Sequence, residues 1–84
     1  MAGETGVVLL MDYGRIRLRL KEVMDTRSIT RGALARKTDT RFEVIDKWYS
    51  GKPERIDLDL LARICYVLNC EINDLLEYEP PEKK

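Results

Sequence analysis

The chain has 84 residues, with 15 Lys/Arg balanced by 15 Asp/Glu, two cysteines and no histidine. This length suits one small domain, which buries only about 60–65% of its unfolded surface and must build its core economically. The lack of histidine removes histidine acid–base chemistry and makes a zinc site improbable, while plentiful Leu, Ile, Val and Met with few Gly and Pro indicate a folded domain and not a disordered one.

The charges are unevenly spread. Residues 12–55 carry twelve Lys/Arg against seven Asp/Glu, a net of +5. Residues 56–84 carry three against seven, a net of −4, and Glu4 supplies the remaining −1. A basic first part and an acidic last part suit a module that turns one face toward a polyanion. Cys65 and Cys70 lie five apart in an apolar setting and read as small core residues, in preference to a disulfide or a metal pair.

In chain order, residues 1–11 read as an N-terminal tail or short strand. Their end, "GVVLLM" (Gly6–Met11), is strand-like but too short to span a bilayer. It also lacks the flanks of a signal peptide, so a cytoplasmic location is expected. Asp12 is expected to cap a first helix, with Ile16, Leu20, Val23 and Met24 as its buried stripe and Arg15, Arg17, Arg19 and Lys21 mostly off it. "DTRS" (Asp25–Ser28) is turn-rich and ends it.

Thr30 is expected to cap a second helix of about two turns, with Leu34 inward and Ala35 small enough for another helix to approach. "TDT" (Thr38–Thr40) breaks it. A third helix follows with Ile45 and Trp48 buried, Val44 on the margin, and Ser50-Gly51 at its end. After a loop around Pro53, Asp57 caps a fourth helix whose Leu61, Ile64, Cys65 and Leu68 form one face. A last helix over Ile72–Glu77 is expected to bury Ile72, Leu75 and Leu76, before a polar tail at 79–84. The expected fold is therefore an all-α, five-helix domain over residues 12–78.

These elements resemble the Cro/CI-type, or XRE-like, helix-turn-helix family of regulators. The resemblance is carried by Leu34-Ala35, Ile45 eleven residues later, Trp48 one turn on, Gly51-Lys52, and "LLARICYVLNCEINDLLEY" (Leu60–Tyr78). It covers about residues 16–78 and is nearest to very small members ending in an "LNC…DLLEY" pattern. The resemblance implies the lambda repressor-like fold, with the second helix across the DNA backbone and the third in the major groove. Base-reading positions then fall on Phe42, Glu43 and Lys47, and phosphate-binding positions on Arg31, Arg41, Lys52 and Arg55. Asp39 replaces the usual turn glycine and is among the few residue types that tolerate a left-handed backbone. Arg41 replaces the usual Ser or Thr before the reader helix; it cannot accept a capping bond, which Thr40 could do from one residue earlier.

The acids on the reader helix have two readings. Glu43 can accept from cytosine N4 while Phe42 packs on a thymine methyl and Lys47 reaches guanine. Glu43 and Lys47 also stand at i, i+4 and can pair on the helix surface. The implied partner is a double-stranded DNA operator, bound by a homodimer acting as a transcriptional repressor. The dimer surface is either a patch around Tyr66 and Val67 or the Gly6–Met11 run. The alternative is a protein-binding adaptor, antirepressor or antitoxin-like module on the same fold. No cofactor, metal, membrane or small-molecule site is expected. Nor is enzymatic activity, since neither a nucleophile–base pair nor a phosphate loop is visible.

Overall fold

Leu34 and Ala35, ten to fourteen residues ahead of Ile45 and Trp48, share one core with them, and the chain between must reverse in a few residues. A computed structural model describes residues 12–81 and shows how this is done; the run Gly6–Met11 lies outside that span. In chain order the elements are β1 (Arg15–Leu18), α1 (Leu20–Arg27), α2 (Arg31–Lys37), α3 (Phe42–Tyr49), α4 (Leu58–Leu68), α5 (Ile72–Leu75) and β2 (Leu76–Glu79). The five helices are present, but the all-α expectation is corrected by a two-stranded antiparallel sheet joining the two ends of the domain.

The sheet explains both misplaced helix boundaries. Arg15 pairs with Glu79, Ile16 with Tyr78, Arg17 with Glu77 and Leu18 with Leu76. Alternation places the arginines and glutamates on one face, where Arg15 Nε lies 2.7 Å from Glu79 and Arg17 lies 3.6 Å from it. Leu18 and Leu76 pack against the core from the other face. Ile16, expected in a helix stripe, is instead a strand residue that is 64% exposed. The segment "RIRL" fits strand alternation as well as it fits a helical period, and a partner 64 residues away decides between them.

Asp12 does not cap α1. Its carboxylate accepts the Gly14 N–H at 3.0 Å in a turn ahead of β1. Gly14 has φ +83°, and a Cβ there would stand 2.3 Å from the Glu79 carbonyl oxygen. The cap position of α1 is Arg19, whose backbone N–H donates to Leu75 O at 2.7 Å. Leu20, Val23 and Met24 are buried as the periodicity requires. At the other end, α5 stops at Leu75, which is buried, while Leu76 starts β2 and Ile72 is 49% exposed.

Between these ends the local signals match the structure. The Thr30 hydroxyl accepts the Ala33 N–H at 3.1 Å, and Asp57 accepts from Asp59 N and Leu60 N. Both satisfy donors that the first turn of a helix leaves unpaired. Four helices end alike: the N–H just after a left-handed residue bonds back to the carbonyl five positions earlier. Those residues are Ser28 (φ 55°), Asp39 (φ 54°), Gly51 (φ 80°) and Asn69 (φ 53°). The bonds are Ile29 N to Met24 O, Thr40 N to Ala35 O, Lys52 N to Lys47 O and Cys70 N to Cys65 O.

The core comprises Leu20, Val23, Met24, Leu34, Ala35, Ile45, Trp48, Leu60, Leu61, Ile64, Leu68 and Leu75. Buried Thr38 closes the α2 end by donating its hydroxyl to Leu34 O at 2.8 Å. Because a left-handed backbone costs a non-glycine residue roughly 1 kcal/mol, Asp39→Gly is expected to stabilise the fold by about that amount. Urea denaturation checks this: the midpoint should rise while its slope stays constant.

Candidate nucleic-acid interface

Burial of Ile45 and Trp48 fixes which side of α3 faces outward. At 100° per residue that side carries Glu43 and Ser50, flanked by Asp46 and Lys47, with Phe42 at its edge. Glu43 and Lys47 are exposed and Phe42 is 48% exposed. The three expected base readers therefore share the solvent face of one helix, but they do not form one cluster.

On one flank, Glu43 and Lys47 line a cleft of about 710 Å³ with Arg41, Glu54 and Arg55. Lys47 does not pair with Glu43 there. Its ammonium reaches Glu54 in the following loop at 2.7 Å, and that hydrogen bond holds the Glu54 carboxyl below its ordinary value. The bend at Gly51 makes this possible by bringing the loop back past the end of α3.

On the other flank, Phe42, Asp46 and Tyr49 form an i, i+4, i+7 stripe facing the start of α2. Arg31, the first residue of α2, lies along it. Its guanidinium is 2.5 Å from Asp46 Oδ1, 5.8 Å from the Phe42 ring centre and 5.0 Å from that of Tyr49. Tyr49 is held in turn from α1: its hydroxyl donates to Asp25 at 3.2 Å, and Lys21 lies 5.7 Å from its ring. Asp25 also pairs with Lys21 at 2.9 Å, and these contacts hold its carboxyl below the ordinary value.

Of the four expected phosphate contacts, Arg31 is thus paired. Arg41, Lys52 and Arg55 are exposed and form no ion pair among the described residues. Arg41 occupies the cap position of α3 without any side-chain capping bond, and Thr40 does not replace it. The Thr40 hydroxyl donates to Thr38 O at 3.1 Å instead. In the first turn of α3, beside Arg41, the N–H groups of Phe42 and Glu43 therefore have no hydrogen-bond partner among the described residues.

Sequence reasoning placed Asp46 on the outer face of α3 but missed its partner, and it missed Glu54 and Arg63. Asp46 is joined to Arg31 fifteen residues away, and Glu54 to Lys47 seven residues away across a loop. Arg63, on α4, donates to the Thr38 carbonyl at 2.9 Å and so ties the turn between α2 and α3 to the rest of the domain. No local spacing announces such contacts. Only the expectation that the start of α2 stands beside the middle of α3 would have suggested the first.

Elsewhere the chemistry is quiet. Cys65 and Cys70 are free and half-buried, and burial together with the neighbouring thiol pushes Cys70 up to about 11, away from thiolate reactivity. Among the described residues no helix is long and apolar enough to cross a membrane, and no group of His, Cys, Asp and Glu could hold a metal ion.

Two short helices joined by a tight turn, the second with a solvent face ringed by cations, define a helix-turn-helix DNA-binding domain. The sequence pattern of the Cro/C1-type HTH DNA-binding domain matches residues 19–81, and the chain belongs to that family. A crystal structure of a candidate DNA-binding protein from Bacteroides fragilis is similar, with a TM-score of 0.68 and 25% identity over 75% of this chain and 100% of that one. The transcriptional regulator VanUg shares the fold, with a TM-score of 0.64 and 21% identity over 84% of this chain and 93% of that one. No curated protein sequence matches the chain.

Proposed function

We propose that the protein is a sequence-specific regulator of transcription that binds double-stranded DNA as a homodimer and represses by occupying its operator. In this reading α3 lies in the major groove. Phe42, Glu43 and Lys47 meet base edges, while Arg41, Lys52 and Arg55 hold phosphate. The observation that carries it is the arrangement around the solvent face of α3 of those three exposed cations, which form no ion pair among the described residues.

Glu43 fits a discriminating role. A carboxylate accepts from cytosine N4 and is repelled by the wrong edge or by phosphate, so it lowers general affinity while sharpening choice. Repression by occupancy needs only such a reading surface and a second copy to extend the site. For the second copy the outer face of α4 offers Leu58, 79% exposed, and Tyr66, 88% exposed, on either side of Ala62. A two-fold axis at Ala62 sets each Leu58 against the partner's tyrosine, which makes the patch self-complementary.

A protein-binding role on the same fold is favoured by one observation. Two cations next to the reader face, Arg31 and Lys47, are already neutralised by Asp46 and Glu54.

Fluorescence anisotropy against a random-sequence duplex pool separates the two. With three phosphate contacts per protomer, affinity should fall about a thousandfold between about 50 and 200 mM salt. No binding at the lower salt would transfer the role to a protein partner. Glu54→Gln, which releases Lys47, should tighten binding on the order of tenfold at the lower salt, as expected for one added cation contact. Tyr66→Glu should halve the sedimentation mass while leaving the circular dichroism of the domain unchanged; an unaltered mass would remove α4 from the dimer surface.

A further inference from the structure

The Arg31–Asp46 unit is poorly suited to holding phosphate. It carries no net charge, so its approach to the backbone releases little counterion and brings the Asp46 carboxylate toward a phosphate. Its side chains are nevertheless about half exposed, at 46% and 47%, and Asp46 lies on the flank of the outward side of α3 that faces the start of α2. A guanidinium offers five N–H donors in a rigid fork, of which Asp46 accepts one, from Nη1. The remaining donors suit two neutral acceptors held in a plane, which is what guanine presents in the major groove through O6 and N7. The rings of Phe42 and Tyr49, with centres 5.8 and 5.0 Å from the guanidinium carbon, hold the fork beside α3 before any ligand arrives.

Resting on the reading of α3 as a major-groove helix, we propose that Arg31 reads a guanine in each half-site, with Asp46 as the residue that positions it and Phe42 and Tyr49 as its platform. Arg31 then leaves the phosphate-binding set. Asp46 acts on specificity: it orients the fork and cancels the charge that would otherwise attract Arg31 to any DNA. Phe42 gains a second role beside its expected contact with a thymine methyl. The ring supports the arginine from the start of α3 while Tyr49 supports it from the end.

The test uses the full chain and the duplex it selects from a random pool, with guanines replaced one at a time by 7-deazaguanine, which lacks the N7 acceptor. At one guanine per half-site the replacement should weaken wild-type binding about tenfold or more. Arg31→Lys, which keeps the charge but loses the fork, should be indifferent to that replacement and retain the wild-type salt slope. Asp46→Asn should bind random duplex more tightly, with a steeper salt slope and a weaker preference for the selected site. The proposal is overturned if Arg31→Ala keeps the base preference and lowers the salt slope by about 0.9 per protomer, because Arg31 would then be a phosphate contact. Salt-dependent wild-type binding with no base preference overturns the guanine assignment and leaves the DNA-binding reading standing. No salt-dependent binding of the wild type to any duplex overturns both.

Discussion

The surface described above depends on one packing constraint, the burial of Ile45 and Trp48 in the same core as Leu34 and Ala35. A helix of eight residues has little stability of its own, so α3 exists because those two side chains are sealed. Each large side chain so buried contributes about 1.5–3 kcal/mol, and their position in the sequence decides which side of α3 is left to solvent. The left-handed Asp39 and the buried Thr38 shorten the reversal between α2 and α3. Arg63 then fastens that reversal to α4. The angle of α3 is therefore set from the core and the turn.

Electrostatics adds a second layer that the net charge of zero conceals. Cations around α3 fall into two groups. Arg41, Lys52 and Arg55 are unpaired among the described residues, whereas Arg31 and Lys47 are engaged by acids at 2.5 and 2.7 Å. The acids do not cancel the basic surface uniformly. They divide it into cations that form no ion pair among the described residues and cations whose charge is already satisfied. In the proposed reading this division accounts for Asp46, which holds Arg31, and leaves Glu43 as the exposed acid that discriminates among bases.

The middle of the fold was legible in the sequence because its signals are local. Thr30 and Asp57 cap helices within three residues of their own position, and Ser50-Gly51 ends α3 through the left-handed glycine and the Ser50 hydroxyl on Lys47 O. The two ends were not legible for the opposite reason. Residues Arg15–Leu18 and Leu76–Glu79 become strands only through each other, and read singly their leucines and isoleucine extend the neighbouring helices. The site divides in the same way. That Phe42, Glu43 and Lys47 lie on one solvent face follows from a 3.6-residue period. That Lys47 turns to Glu54 and Asp46 to Arg31 depends on how a loop and a second helix come past, which no spacing within α3 records.

Chemical-shift mapping by NMR of the labelled protein, titrated with its selected duplex, tests the central claim most directly, namely that the outward side of α3 is the surface that meets DNA. The account predicts that the largest shifts fall on Phe42, Glu43, Asp46 and Lys47, with Arg41, Lys52 and Arg55 around them, while Tyr66 and the sheet residues Ile16 and Tyr78 stay near their free positions. Shifts confined to α4 or to the β1–β2 sheet, with α3 unmoved, would contradict it.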